Sequence, residues 1–126
     1  MNKPKILVVD DERAVAFLLT RSLESAGCEV TALADGLEAY ERALAERFDV
    51  ILIDHLLPGL LGQEVVQRWR QAGLATPVII VSGVSNEEDI VRSLESGASD
   101  YVRKPFSVRE IIARVKVQIR DRPQNG

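Results

Sequence analysis

Cysteine is nearly missing from this chain, with Cys28 alone among 126 residues. An internal disulfide and a cysteine-based metal cluster are therefore excluded, which fits a reducing compartment. Just ahead of an apolar segment, Cys28 itself reads as a small buried residue. An excess of positive charge is missing too: 16 Lys and Arg stand against 19 Asp and Glu, for a net charge of -3. That balance argues against non-specific nucleic-acid binding, which depends on a basic patch neutralising phosphates. No apolar run approaches the roughly 20 residues of a membrane-spanning helix. The short run Ile6-Leu7-Val8-Val9 follows two lysines as an export signal would, but Asp10-Asp11-Glu12 ends it too early for one. A cytoplasmic protein is expected, with no contact to membrane or nucleic acid. The length suits one domain, and neither internal repeats nor low-complexity segments divide it.

Present instead is an alternation of apolar runs and amphipathic stretches. Val50-Ile51-Leu52-Ile53 is short, continuous and rich in β-branched residues, as expected of a strand buried on both faces of a parallel sheet. Ile6–Val9 and Val78-Ile79-Ile80-Val81 read the same way, and Glu29–Leu33 and Tyr101-Val102 read as shorter strands. Between them, helical spacing runs from Glu12 to Ala26 with Gly27 as the stop, from Asp35-Gly36 to about Arg47, and from Gly62 to Ala72. A fourth helix is expected from an Asn86 cap to Gly97, and a last one from a Ser107 cap through Ile119. Trp69 and Phe17 are expected in the core. Strands alternating with helices imply a parallel sheet with right-handed crossovers and helices on both faces.

Three of these strands end in polar groups: Asp10-Asp11 after the first, Asp54 at the end of the third, and Ser82 after the fourth. In open α/β sheets the carboxyl ends of the strands are where ligands bind. Carboxylates brought together there repel by roughly 4 kcal/mol per pair at about 4 Å and an effective dielectric near 20. A cation must offset that. Lys104 supplies one, and a hard divalent ion with oxygen ligands suits the remainder, Mg²⁺ in particular because it keeps several waters and needs few protein ligands. His55 neighbours Asp54, but strand alternation aims it to the other face, as a packed or exposed spectator. Gly59 and Gly62 belong to no phosphate-cradling loop and serve turns and close packing.

Taken as a set, Val9-Asp10-Asp11-Glu12, Ile53-Asp54, Pro58-Gly59 with Gly62, Val81-Ser82-Gly83, Gly97-Ala98, Asp100-Tyr101 and Lys104-Pro105-Phe106 resemble the receiver domain of two-component response regulators. The resemblance covers essentially the whole chain, with residues 1–122 as the receiver and 123–126 as a tail or the start of a linker. It implies a flavodoxin-like (βα)5 three-layer sandwich whose five parallel strands run in the order 2-1-3-4-5. It also implies that Asp54 is the phosphoacceptor, attacking the phosphohistidine of a sensor histidine kinase or phosphotransfer protein. Mg²⁺ would be held by Asp11, Asp10, Asp54 and the backbone carbonyl of Leu56. Lys104 would neutralise the transferring group, and Ser82 and Tyr101 would act as the switch. The face made by the fourth helix, fifth strand and fifth helix would then change its affinity for a downstream effector. Such a protein is no enzyme in the ordinary sense, although it promotes its own phosphorylation and dephosphorylation.

Departures from the family pattern carry expectations of their own. Leu56 and Val84, two positions after Asp54 and Ser82, are apolar, and the resemblance implies that such bulk hinders attack of water on the aspartyl phosphate. Lys104 through Arg114 resembles receivers joined to a winged-helix DNA-binding domain, where Asp100, Glu110, Arg114 and Lys116 can supply some of the charge pairs across a dimer; Ile90 and Ser99 stand where charged partners are common, which disfavours a symmetric charge-paired dimer and marks Ile90 as an apolar docking patch. Two other classes of function stand beside this reading. One is a docking module that works without phosphorylation, in the same fold. The other is an FMN protein or aspartate-nucleophile phosphatase, disfavoured because no phosphate-binding loop follows the first strand and Leu56 stands where a second acid would be needed. A free-standing regulator, a segment of a hybrid histidine kinase and a segment of a DNA-binding response regulator are all compatible with these residues.

Overall fold

The structure, a computed structural model, describes residues 3–84 and 86–120. The expected tail at 123–126 lies outside the described residues. Strands and helices alternate as β1 (Lys5–Val9), α1 (Arg13–Ser25), β2 (Glu29–Leu33), α2 (Gly36–Ala45), β3 (Val50–Asp54), α3 (Gly62–Gln71), β4 (Val78–Ser82), α4 (Glu87–Glu95), β5 (Asp100–Arg103) and α5 (Val108–Arg120). All strand pairs are parallel and the order is β2-β1-β3-β4-β5. This is the expected flavodoxin-like arrangement.

The apolar runs are continuous because both faces of the central strands are covered. Leu7, Val9, Ile51, Ile53, Val78 and Ile80 join Ala39, Ala43, Val65, Val66 and Trp69 of α2 and α3 in one core. Their alternate neighbours Ile6, Val8, Val50, Leu52, Ile79 and Val81 join Leu19 and Leu23 of α1 and Ile111 and Val115 of α5 in the other. Period-two alternation in the strands thus divides one apolar run between two helical layers. Cys28 is buried in the second core, as expected.

Helix ends follow local chemistry. The Asp35 carboxylate accepts the Glu38 N–H at 2.8 Å, and the Asn86 side chain accepts the Asp89 N–H at 2.8 Å. Gly27 and Gly97 end α1 and α4 with φ of 94° and 114°, the left-handed region where a β-carbon is costly. Among the described residues no helix is long and apolar enough to cross a membrane.

Phe17 is a correction to the sequence reading, because its side chain is 64% exposed rather than in the core. Helix α1 carries more apolar residues than one face can hold, and Leu19 and Leu23, four apart, take the inward stripe. The Phe17 ring instead lies under the Arg21 guanidinium, 5.6 Å from its centroid. In α2, Gly36, Ala39 and Ala43 are buried while Leu37 and Leu44 are exposed. Small residues there let the helix lie close to its neighbours.

Gly62 ties this packing to the end of β3. Its N–H bonds the His55 carbonyl at 2.6 Å, and a β-carbon on it would lie 2.5 Å from the Asp54 carbonyl oxygen and 3.0 Å from the His55 Cα. Both obstacles are backbone and cannot rotate away. Gly62→Ala is therefore expected to lower stability by about 1–3 kcal/mol, measured by urea unfolding followed through the emission of the buried Trp69; an unchanged midpoint and slope would refute this close approach as a constraint.

Candidate functional site

The site lies at the carboxyl edge of the sheet, where β1, β3, β4 and β5 stop. Asp10 immediately follows β1, Asp54 closes β3, Ser82 closes β4, and Lys104 follows β5. The Lys104 N–H bonds the Ser82 carbonyl at 2.8 Å, which fixes the chain beyond β5 against the end of β4. The Lys104–Pro105 peptide bond is cis.

From there the Lys104 ammonium reaches three carboxylates. Its Nζ lies 3.1 Å from Asp10 Oδ2, 3.3 Å from Glu12 Oε1 and 3.5 Å from Asp54 Oδ2. The Asp10 and Asp54 side chains are only 2% and 7% exposed, so two negative charges are held out of water around one cation. Removing the cation from such a group leaves uncompensated buried charge, the situation that makes breaking a buried pair costly. Carboxylate oxygens of Asp10, Glu12 and Asp54 lie within 4.8 Å of one another, a set of hard donors. Glu12 is not among the site residues expected from the sequence, where it stands only as part of the Val9-Asp10-Asp11-Glu12 motif and as the start of a helix. Its signal was position alone, directly after Asp10-Asp11.

The other predicted site residues divide into those that face this cluster and those that do not. Asp11 is exposed on the β1–α1 loop and outside the Asp10, Glu12 and Asp54 group. Leu56 has a largely exposed side chain, and a hydrogen bond from its backbone favours the charged form of Asp54. Ser82 is fully buried, and its Oγ accepts the Val84 N–H at 3.0 Å. Tyr101 is half-buried against the α2/α3 core and donates its hydroxyl to the Val84 carbonyl. Ser82 and Tyr101 are thus joined through one residue of the β4–α4 loop, Val84, by its N–H and its carbonyl.

His55 is buried and turned to the opposite face, where the nearby acids are Glu64 of α3 and Asp89 of α4. Burial pushes its pKa down while those two acids oppose the shift. Its Nδ1 has no hydrogen-bond partner among the described residues. It is the packed spectator expected from strand alternation.

Electrostatics at the edge follow from burial and neighbours. Desolvation, reinforced by the charge of Asp10, pushes the Asp54 carboxyl above the usual carboxylate range; Lys104 and the Leu56 backbone offset this only in part. Burial works against the Lys104 ammonium, yet its bond to Asp10 and the charges of Asp54 and Asp10 together hold its pKa above the ordinary lysine value. The sign for Asp54 is set by its raised folded-state value. Its protonated form favours the folded protein, and that contribution is lost as pH rises through the folded pKa. Asp54→Asn removes a buried negative charge, so it is expected to stabilise the metal-free protein at pH 7 and progressively less as pH falls toward the ordinary Asp value of about 4. Denaturant unfolding of both proteins across that range measures this, and a pH-independent difference would contradict it.

Comparison with known proteins agrees with this geometry. The family model described as the response regulator receiver domain matches residues 6–116. The alkaline phosphatase synthesis transcriptional regulatory protein PhoP of Bacillus subtilis (strain 168) is 47% identical over 120 residues, covering 95% of this chain and 50% of that protein. The chain spans about half the length of the curated relatives it matches. Among solved structures, the receiver domain of the Francisella response regulator 1452 superposes with a TM-score of 0.90 at 36% identity, covering 94% of this chain and 98% of that one. The BeF3-activated DrrB receiver domain does so with a TM-score of 0.86 at 30% identity, covering 94% and 99%. With a family match over most of its length, five parallel strands in the receiver order and acid gathered around one lysine at their carboxyl edge, this chain belongs to the response regulator receiver domain family.

Proposed function

We propose that this chain is a phosphoacceptor: it takes a phosphoryl group onto Asp54 from a phosphohistidine of a sensor histidine kinase or phosphotransfer protein. The observation that carries the reading is the Lys104 ammonium held against both Asp10 and Asp54 at the carboxyl edge of the sheet. An Asp54 carboxylate oxygen forms the bond to phosphorus as the P–N bond to the donor imidazole breaks, and the electron pair returns to the ring. Charge on the transferring group is the main obstacle, and preorganised cations are the main remedy. Lys104 supplies one. The buried carboxylates of Asp10 and Asp54 are oxygen donors that suit a hard ion, and Mg²⁺ would be held by Asp10, Asp11, Asp54 and the Leu56 backbone carbonyl. When bound, it supplies further neutralisation of phosphoryl oxygens.

The Ser82 hydroxyl accepts from Val84, which leaves its own proton free to be donated to a phosphoryl oxygen. Turning that hydroxyl loosens the Val84 N–H, and the same residue's carbonyl holds Tyr101. Phosphorylation adds roughly -1.5 to -2 charges next to this chain of bonds. The response is a shift of the β4–α4 loop and of Tyr101 that alters the α4, β5 and α5 face, where Val91 and Leu94 are exposed, and so its affinity for an effector. Arg114 on that face bonds Asp100 at 2.9 Å and Glu110 at 3.1 Å within the chain, so charge pairs offered to a second copy would have to replace these. The relative named above as a transcriptional regulator, half covered by this chain, favours a role as the receiver segment of a DNA-binding response regulator. A cytoplasmic location accords with such partners.

Two outcomes test the reading. With Mg²⁺ and acetyl phosphate the chain is expected to gain one phosphoryl mass, and both chelation of the metal and Asp54→Asn are expected to abolish it; incorporation that survives either change would refute the assignment. The phosphorylated form is expected to hydrolyse slowly because Leu56, 55% exposed beside Asp54, offers water no hydrogen-bonding side chain. Leu56→Asn is expected to shorten its lifetime about ten-fold, a change of roughly 1.4 kcal/mol in barrier. Decay followed by mass spectrometry reads this directly, and an unchanged lifetime would remove the apolar side chain as the cause.

A further inference from the structure

We propose that Glu12 is a positioning residue for phosphoryl transfer: it holds Lys104 in the unphosphorylated protein and competes with the incoming group for it, an inference that rests on the phosphoacceptor reading. An ammonium has three N–H donors. Here three carboxylates surround it, with oxygens of Asp10, Glu12 and Asp54 at 3.1, 3.3 and 3.5 Å. The ammonium's hydrogen bonds go to Asp10 and Glu12, while Asp54 at 3.5 Å is the residue that would carry the phosphoryl group, so a phosphoryl oxygen there competes with Asp10 and Glu12 for the ammonium. Asp10 and Asp54 are buried and cannot turn away, whereas the Glu12 side chain is 63% exposed and can rotate into water.

The local backbone points the same way. Glu12 stands at the N-cap of α1, yet its side chain caps nothing. Its backbone N–H bonds Asp10 Oδ1 at 2.9 Å, which pins the main chain beside the site. The helix therefore leaves the Glu12 carboxylate free to accept from Lys104. In that position it balances the ammonium when no phosphoryl group is present, competes with one that arrives, and repels an anionic donor.

The test uses the 126-residue chain, acetyl phosphate and saturating Mg²⁺. In the labelling step an Asp54 oxygen bonds phosphorus as the P–O bond to acetate breaks, and acetate leaves with the electron pair; Glu12 takes part in neither bond. Glu12→Gln is expected to raise the initial labelling rate at low donor concentration by about three- to five-fold, the scale of one largely exposed ion pair. It is expected to tighten beryllofluoride binding, measured by calorimetry, by a similar factor. Glu12→Asp keeps the charge but shortens the reach to Lys104, and is expected to fall between the two. Labelling and beryllofluoride binding that are unchanged or weakened in Glu12→Gln overturn the inference, as does a weaker Mg²⁺ affinity in a metal titration, which would make Glu12 a metal ligand. A wild-type chain that takes no phosphoryl group overturns the phosphoacceptor reading and this inference with it. A wild-type chain that labels at the same rate as Glu12→Gln overturns this inference alone.

Discussion

One ammonium group placed between two buried carboxylates governs the architecture of this receiver. Asp10 and Asp54 stand at the ends of adjacent strands, and with both side chains buried their mutual repulsion calls for a cation between them. Lys104 comes from beyond β5, which the strand order places three steps from β1. Its long side chain spans that distance because its own backbone is fastened to Ser82 at the end of β4. The sheet order, the length of β5 and the turn that follows it all converge on bringing that one charge to the acid.

The same arrangement explains how a charge change at the edge can be felt elsewhere. Period-two alternation sends neighbouring residues of β3 to opposite layers, so Asp54 belongs to the cluster with Lys104 while His55 packs toward Glu64 and Asp89. Ser82 and Tyr101 lie on neighbouring strands and both bond Val84, one at its N–H and the other at its carbonyl. A single residue therefore sits between the buried Ser82 hydroxyl and the Tyr101 ring packed on the α2/α3 core. Helix α4 buries little besides Ser93, so it is held less firmly than the helices that fill the two cores.

Much of the fold was legible in the residues because each signal was local and unambiguous. Short, continuous β-branched runs bounded by turns read as doubly covered strands, while Gly27 and Gly97 marked helix ends through their backbone and Asn86 and Asp35 through their side chains. Where the reading failed, composition stood in for geometry. Phe17 is large and apolar, but it lies about 200° around the helix from Leu19 at 100° per residue, on the side that meets water. Alanines and a glycine of α2, rather than its leucines, face inward because the helix lies close to its neighbours.

The site divides along the same line. That Asp10, Asp54 and Lys104 should meet, with Ser82 at the same edge, followed from their places at the ends of strands, since a parallel sheet delivers all strand ends to one edge. Which acid the lysine holds was beyond reach of the sequence. Asp11 is exposed and lies outside the acidic group, while Glu12, one residue further along, turns back to the ammonium. Neighbouring residues on a loop point in different directions according to backbone angles that no residue type dictates. What the chain alone determined was therefore the sheet, its edge and the chemistry gathered there; the choice of partners around Lys104 was settled only when the β1–α1 loop and the segment after β5 were folded against each other, because distances between side chains more than 90 residues apart depend on packing and not on pattern.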